Sequence, residues 1–301
     1  MPSIRKILFP TKFEDLSYRC VERLFPLKAA GLEEIVFLFV IDREEVAFNL
    51  FRGFDKKLAH QLSEEARLRF EDWEKKLEAQ GIRGRHIVEI GRPEGKILEV
   101  SCREEVGLIV AGRQKHVPAD AVYLGGTTMG VLRRTAIPVL VCKHGGPEAA
   151  VLEATTGNEF ERVLYATDFS EDSRCAQAFL EGLGGAVRRV DAVHVITERD
   201  FKKHTEEEIR EEEEKSQGEL EVVCERLRGK GVEAQAHLLA GHTAQEILQA
   251  AADNHSTCIL MGTKGRHGLK EVWLGSASHR VAELSPVPVI LVPRERAECY
   301  I

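Results

Sequence analysis

Residues 161–173 read ERVLYATDFSEDS and residues 4–17 read IRKILFPTKFEDLS, so one pattern of apolar strand, polar turn and acidic helix start occurs twice at an offset of 156. FLFVID (37–42) and AVHVIT (192–197) repeat at 155. Gly91 with Gly241, Ile97-Leu98 with Ile247-Leu248, Gly112 with Gly262, Gly125 with Gly275, and Pro138-Val139 with Pro288-Val289 all repeat at 150. Matches this regular make the chain a tandem repeat. The falling offset gives the first copy about six extra residues, expected mostly in its middle helical region.

Within the second copy, Arg162 to Thr167 is a β-branched and aromatic run, and Ser170 followed by Glu171-Asp172 is a helix start, with an oxygen cap and acids over the positive dipole end. Strands are expected at Ala192–Ile196, Glu233–Leu239, Cys258–Met261 and Val287–Val292. Between them fall a long acidic helix over about 205–228, a helix opened by a capping box at Thr243-x-x-Glu246, and a short helix from Ser276. Apolar strands alternating with such helices predict an α/β fold. Each half is expected to be a doubly wound five-stranded parallel sheet with helices on both faces, Rossmann-like in class, for which the order 3-2-1-4-5 is taken. The expected domains are residues 1–143 and 160–301, joined by a linker at 144–159 that is rich in Gly, Pro, Thr and Ala.

A chain of 301 residues suits two cores, and 43% hydrophobic with 30% charged residues suits a folded globular protein. The net charge is −7 and no basic, aromatic-laced block appears, which argues against nucleic acid. The longest apolar run, Ile35–Ile41, is far short of the roughly 20 residues of a bilayer span, and no signal peptide is read at the start. The expected compartment is cytoplasmic, without a membrane role. The seven cysteines are scattered and never C-x-x-C, so they read as reduced small hydrophobes. The EEEIREEEEK run at 206–215 reads as a solvated helix face.

Residues 261–278, MGTKGRHGLKEVWLGSAS, carry the chemistry: Gly262, Gly265 and Gly275-Ser276 stand as G-x2-G-x9-G-S between a strand and a helix. Glycine lets backbone approach a ligand, and a helix N-terminus offers free N–H groups to an anion. The spacing is neither a Walker A loop nor G-x-G-x-x-G. The strand order sets strand one beside strand four, so Ala166-Thr167-Asp168 and Met261-Gly262 should converge on one crevice beyond the strand ends.

ATDFSEDS, AVHVIT, the glycine loop and the closing SPVPVILV together resemble the universal stress protein family, in both halves, as in its tandem members. The resemblance implies adenine nucleotide (ATP, ADP or AMP, with Mg possible beside ATP) bound by Ala166, Thr167, Asp168, backbone at Val195, Met261, Gly262, Thr263, Gly265, Gly275, Ser276, Ala277 and Ser278. It also implies a pseudo-twofold pairing of the repeats through their last strands, a homodimer of chains, and a regulatory role in stress response.

Beside that stand the plainer readings. Asp168 is either an acceptor for the nucleoside or a turn acid, and Val195 either presents its backbone to a purine or is core alone. Ser276 and Ser278 either meet phosphate or cap a helix, and Lys264 and Arg266 either screen phosphate or face solvent. His194 reads as a satisfied interior histidine. His267 and His279 show no partner that would orient them as acid or base, so no catalytic residue and no metal ligand is assigned. The first half departs where it matters: Lys12 stands in place of Asp168, Lys115 of Gly265 and Gly126 of Ser276, while Thr128 matches Ser278. Its expected role is a structural partner that does not bind ATP. A slow Mg-dependent ATPase and a nucleotide-free scaffold are the alternatives.

Overall fold

The computed structural model describes residues 4–13, 18–46, 55–113, 124–143, 158–197, 205–265 and 274–294. Lys115, Arg266, His267, Trp273, Cys299 and most of the linker lie outside them. The described strands are β1 Lys6–Pro10, β2 Glu34–Asp42, β3 Arg83–Gly91, β4 Leu108–Arg113, β5 Val139–Lys143, β6 Arg162–Ala166, β7 Arg189–Ile196, β8 Glu233–Ala240, β9 Cys258–Gly262 and β10 Val289–Val292. They form one sheet in the order β3-β2-β1-β4-β5-β10-β9-β6-β7-β8. Each half therefore has the expected 3-2-1-4-5 order, all parallel, and the halves meet where β5 and β10 pair antiparallel, Val141 opposite Val289 and Val139 opposite Leu291.

Helices cover both faces. α1 Tyr18–Glu22, α2 Arg43–Val46, α3 Lys56–Ala79, α4 Pro93–Arg103 and α5 Gly126–Arg134 belong to the first repeat; α6 Glu171–Gly182, α7 Glu206–Arg228, α8 Thr243–Asp253 and α9 Ser276–Leu284 belong to the second. Strand side chains alternate, so Ile7 and Phe9 pack with α1 and α3 while Leu8 packs with α4 and α5. Each of the two cores runs across the seam: Phe37, Leu140, Leu260 and Phe179 share one, Val36, Val141, Leu291 and Val281 the other. The halves are thus welded by continuous apolar packing as well as by the strand pair. One further tie is polar: Arg23 Nη1 of the first repeat lies 2.8 Å from Oε1 of the buried Glu159.

One local expectation is corrected. The capping box sits on α7, where Thr205 Oγ1 accepts from Glu208 N–H and the Glu208 carboxylate takes Thr205 N–H, 2.7 Å. Helix α8 is capped by His242 without a side-chain bond, and Thr243 is its first helical residue. The Glu246 carboxylate instead folds over Gly241, whose φ of +147° favours glycine. The extra residues of the first repeat fall mostly between β2 and β3, in the middle helical region as expected, chiefly in the connection 43–55 that carries α2, against 197–205 in the second; the long helix is 24 residues in one repeat and 23 in the other. Connections of this kind absorb insertions without disturbing packing.

Candidate functional site

Strands β6 and β9 are parallel neighbours, Ala166 opposite Met261, so the two turns that follow them meet. After β6, Thr167 Oγ1 accepts the Phe169 N–H (3.0 Å) and Asp168 Oδ1 accepts the Ser170 N–H (3.1 Å). Together these fold a tight turn in which Phe169 takes φ +59°. Ser170 caps α6 through its side chain, as its sequence position requires. His194, buried on β7, lies with Nδ1 2.8 Å from the Thr167 carbonyl and its ring 4.7 Å from that of Phe169. A carbonyl only accepts, so Nδ1 carries the proton there. His194 is the satisfied interior histidine the sequence suggests, and it holds the turn from below.

The second turn is tied down at three points. Thr263 N–H donates to Val292 O (3.1 Å), and Gly275 N–H donates to Thr263 O (2.8 Å). Thr263 Oγ1 donates to Asp172 Oδ2 (2.9 Å), which also accepts the Lys264 N–H (3.1 Å). Beside them Ser278 Oγ donates to Gly262 O (2.9 Å). The same tie joins Thr128 to Gly112 O (2.8 Å) in the first repeat, so the Ser278 hydroxyl is scaffold and is already engaged.

The glycines divide by role. A Cβ on Gly262 would stand 2.8 Å from the Asp172 carbonyl carbon and 2.9 Å from its Cβ, so this glycine serves the close packing of β9 on α6. A Cβ on Gly265 would stand 2.6 Å from Asp168 Oδ2, which sets this backbone directly against the carboxylate at the mouth of the crevice. Gly275 is the N-cap of α9 and, as a glycine, brings no capping side chain. Its first-turn amides, those of Ser276, Ala277 and Ser278, have no intrahelical acceptors and carry the positive end of the dipole. Ser276 is exposed there as the first helical residue.

Ala166, Val195, Met261 and Leu274 are buried together on one face of the sheet. The Val195 side chain is therefore core, whatever its backbone does. Within α9, His279 is half-buried. Below the site the Tyr165 hydroxyl donates to Ser173 O (2.7 Å), and burial pushes its pKa upward, so the phenol stays protonated. Asp172 is the site residue that sequence reasoning passed over as a helix-dipole acid. A signal was present: its counterpart at the same offset is Leu16.

The first repeat keeps the scaffold and changes the edge. Thr11 Oγ1 accepts the Phe13 N–H (2.8 Å), and Phe13 takes φ +69°, as in the second repeat. Lys12, in place of Asp168, forms an ion pair with Glu45 of α2. Phe39 replaces His194 and stacks on Phe13, whose ring also carries the Arg69 guanidinium at 4.9 Å.

A tandem, doubly wound α/β chain in which the turns after the first and fourth strands of the second half meet, with the glycine pattern intact in that copy, is the class these features define. The sequence model of the universal stress protein family matches residues 3–143 and again 159–293, and the chain belongs to that family. It is 29% identical over 154 residues to universal stress protein MJ0577 of Methanocaldococcus jannaschii, covering 46% of this chain and 95% of the relative. It is 30% identical over 138 residues to a universal stress protein of Thermus aquaticus, covering 44% of this chain and 98% of the relative. The crystal structure of a universal stress protein from Archaeoglobus fulgidus aligns over 97% of this chain and 99% of its own, with TM-score 0.73 and 27% identity. Among the described residues no helix is long and apolar enough to cross a membrane.

Proposed function

We propose that the second repeat binds one adenine nucleotide in this crevice and that the first repeat binds none, serving as its structural partner. The observation that carries the reading is the opposition of Asp168 and Gly265. A carboxylate that can accept from a ribose hydroxyl faces a backbone with no side chain to exclude a ligand, and both positions are lysine in the first repeat. In this reading Ala166, Thr167 and the Val195 backbone receive the base, and Asp168 the ribose. Met261, Gly262 and Thr263 form the base of the loop. Phosphates meet the amides of Gly265, Ser276, Ala277 and Ser278, beside the Gly275 cap.

The role is regulatory and cytoplasmic: the protein reports nucleotide level or state in a stress response through a partner or through pairing of two chains. What supports binding over turnover is that the residues gathered at the crevice are hydrogen-bonding and backbone groups fixed into the scaffold, the arrangement of a holder. Mass spectrometry of the denatured, purified protein tests the reading. An adenine nucleotide is expected from the natural chain and not from Asp168→Ala; recovery of equal amounts from both would refute it.

A further inference from the structure

We infer that Asp172 is the positioning residue of the glycine loop: by joining Thr263 and Lys264 to the start of α6, it sets where the loop and α9 amides stand. Its link to ligand binding rests on the nucleotide reading above. Asp172 is 8% exposed and Thr263 3%, so the bonds between them are shielded from water. One carboxylate oxygen, Oδ2, receives both the Thr263 hydroxyl and the Lys264 amide. Thr263 is a hub, because its amide goes to Val292 of β10 and its carbonyl receives the Gly275 cap of α9. A shift at Asp172 is therefore passed to both walls of the crevice. The bare Cα of Gly262 is what allows this approach, since a Cβ there would clash with the Asp172 backbone.

The first repeat has none of these residues. Leu16 matches Asp172 and its side chain can accept nothing, Arg113 matches Thr263, and Gln114 matches Lys264. The chain has lost the lock in the same copy in which it has lost the Asp168 and Gly265 pattern. Asp172 does not contact the ligand in this account. It acts through Thr263.

Calorimetric titration with ATP and with AMP, on the natural chain and on Asp172→Leu, Asp172→Asn and Thr263→Val, tests this. Losing two charge-assisted bonds in Asp172→Leu should weaken binding by about tenfold or more. Asp172→Asn keeps an acceptor oxygen and should bind within about threefold of the natural chain, since a neutral acceptor keeps about half the strength of such a bond. Thr263→Val should weaken binding less than Asp172→Leu, and the double variant no more than Asp172→Leu alone. Hydrogen exchange of the Lys264 amide, without nucleotide, is the second readout: faster in Asp172→Leu, protected in Asp172→Asn. Unchanged affinity in a folded Asp172→Leu, or equal loss in the Asn variant, overturns the inference. If the natural chain binds neither nucleotide, the functional reading fails by itself, and the Lys264 exchange decides: unchanged protection in Asp172→Leu overturns the positioning role, and faster exchange sustains it.

Discussion

Replacing Glu159 by glutamine should stabilise the protein above neutral pH and leave it nearly unchanged in acid. The carboxyl is buried at the seam between the repeats, with Arg23 as its one ion-pair partner among the described residues. Burial raises its pKa from 4.5 to about 7, with Arg23 opposing the shift. Well below pH 4.5 the group is protonated whether the chain is folded or not, and it carries no penalty. As pH rises through that value, the unfolded chain ionises freely while the folded one resists, so stability falls until the folded group also ionises near pH 7.

At about 1.36 kcal/mol per pH unit, that shift amounts to about 3 kcal/mol lost by pH 8. A glutamine side chain does not ionise, so the Glu159→Gln variant should exceed the natural chain by up to that amount at pH 8, reduced by whatever Arg23 loses in giving up its partner. The assay is urea unfolding from about pH 4 to about pH 8, where the midpoint should separate by on the order of 1 M at the alkaline end. A variant less stable than the natural chain at the alkaline end would refute the reasoning, because Glu159 would then be held ionised by Arg23 as a net favourable pair.

Further expectations follow from the scaffold and the site. Ser278→Ala and Thr128→Ala should each lower stability by about 1 kcal/mol, since each removes the same bond to a strand-end carbonyl, and Ser278→Ala should change nucleotide affinity little; paired denaturation and titration measure both. Burial raises the thiol pKa of Cys142 and Cys258, and that of Cys224 to about 11. In the native protein these three should resist iodoacetamide at mildly alkaline pH while the partly exposed Cys102 and Cys175 label ahead of them, an order that peptide mapping reports. Trp273 lies within the loop sequence and Trp73 in the aromatic core of the first repeat, so ATP should alter tryptophan emission in the natural chain and not in Gly265→Lys. An equal response in both would contradict the cradle.

The fold was legible because strand register and helix faces are written in apolar periodicity, and the repeat wrote them twice. Parallel crossovers gave a doubly wound sheet, and the order 3-2-1-4-5 came with the family resemblance. The site was legible in part. Asp168 and Gly265 stood out because the first repeat replaces them, and the structure sets them against each other. What each glycine packs against was not legible: glycine spacing does not report that Gly262 lies close on Asp172 of α6 while Gly265 stands against Asp168. The capping box was assigned to Thr243 when Thr205 and Glu208 form it, because S/T-x-x-E marks only a possible cap and the chain path before α8 selects His242. Asp172 was read as a dipole acid because its partners lie 91 and 92 residues away, a distance no local pattern reports.

Isothermal titration of ATP, after any nucleotide retained through purification has been stripped, reads most directly whether one repeat holds the nucleotide while the other supports it. One site per chain is expected, abolished by Gly265→Lys, which writes the first repeat's residue into the second. Two sites per chain, or one that survives the lysine unchanged, would contradict that division of labour.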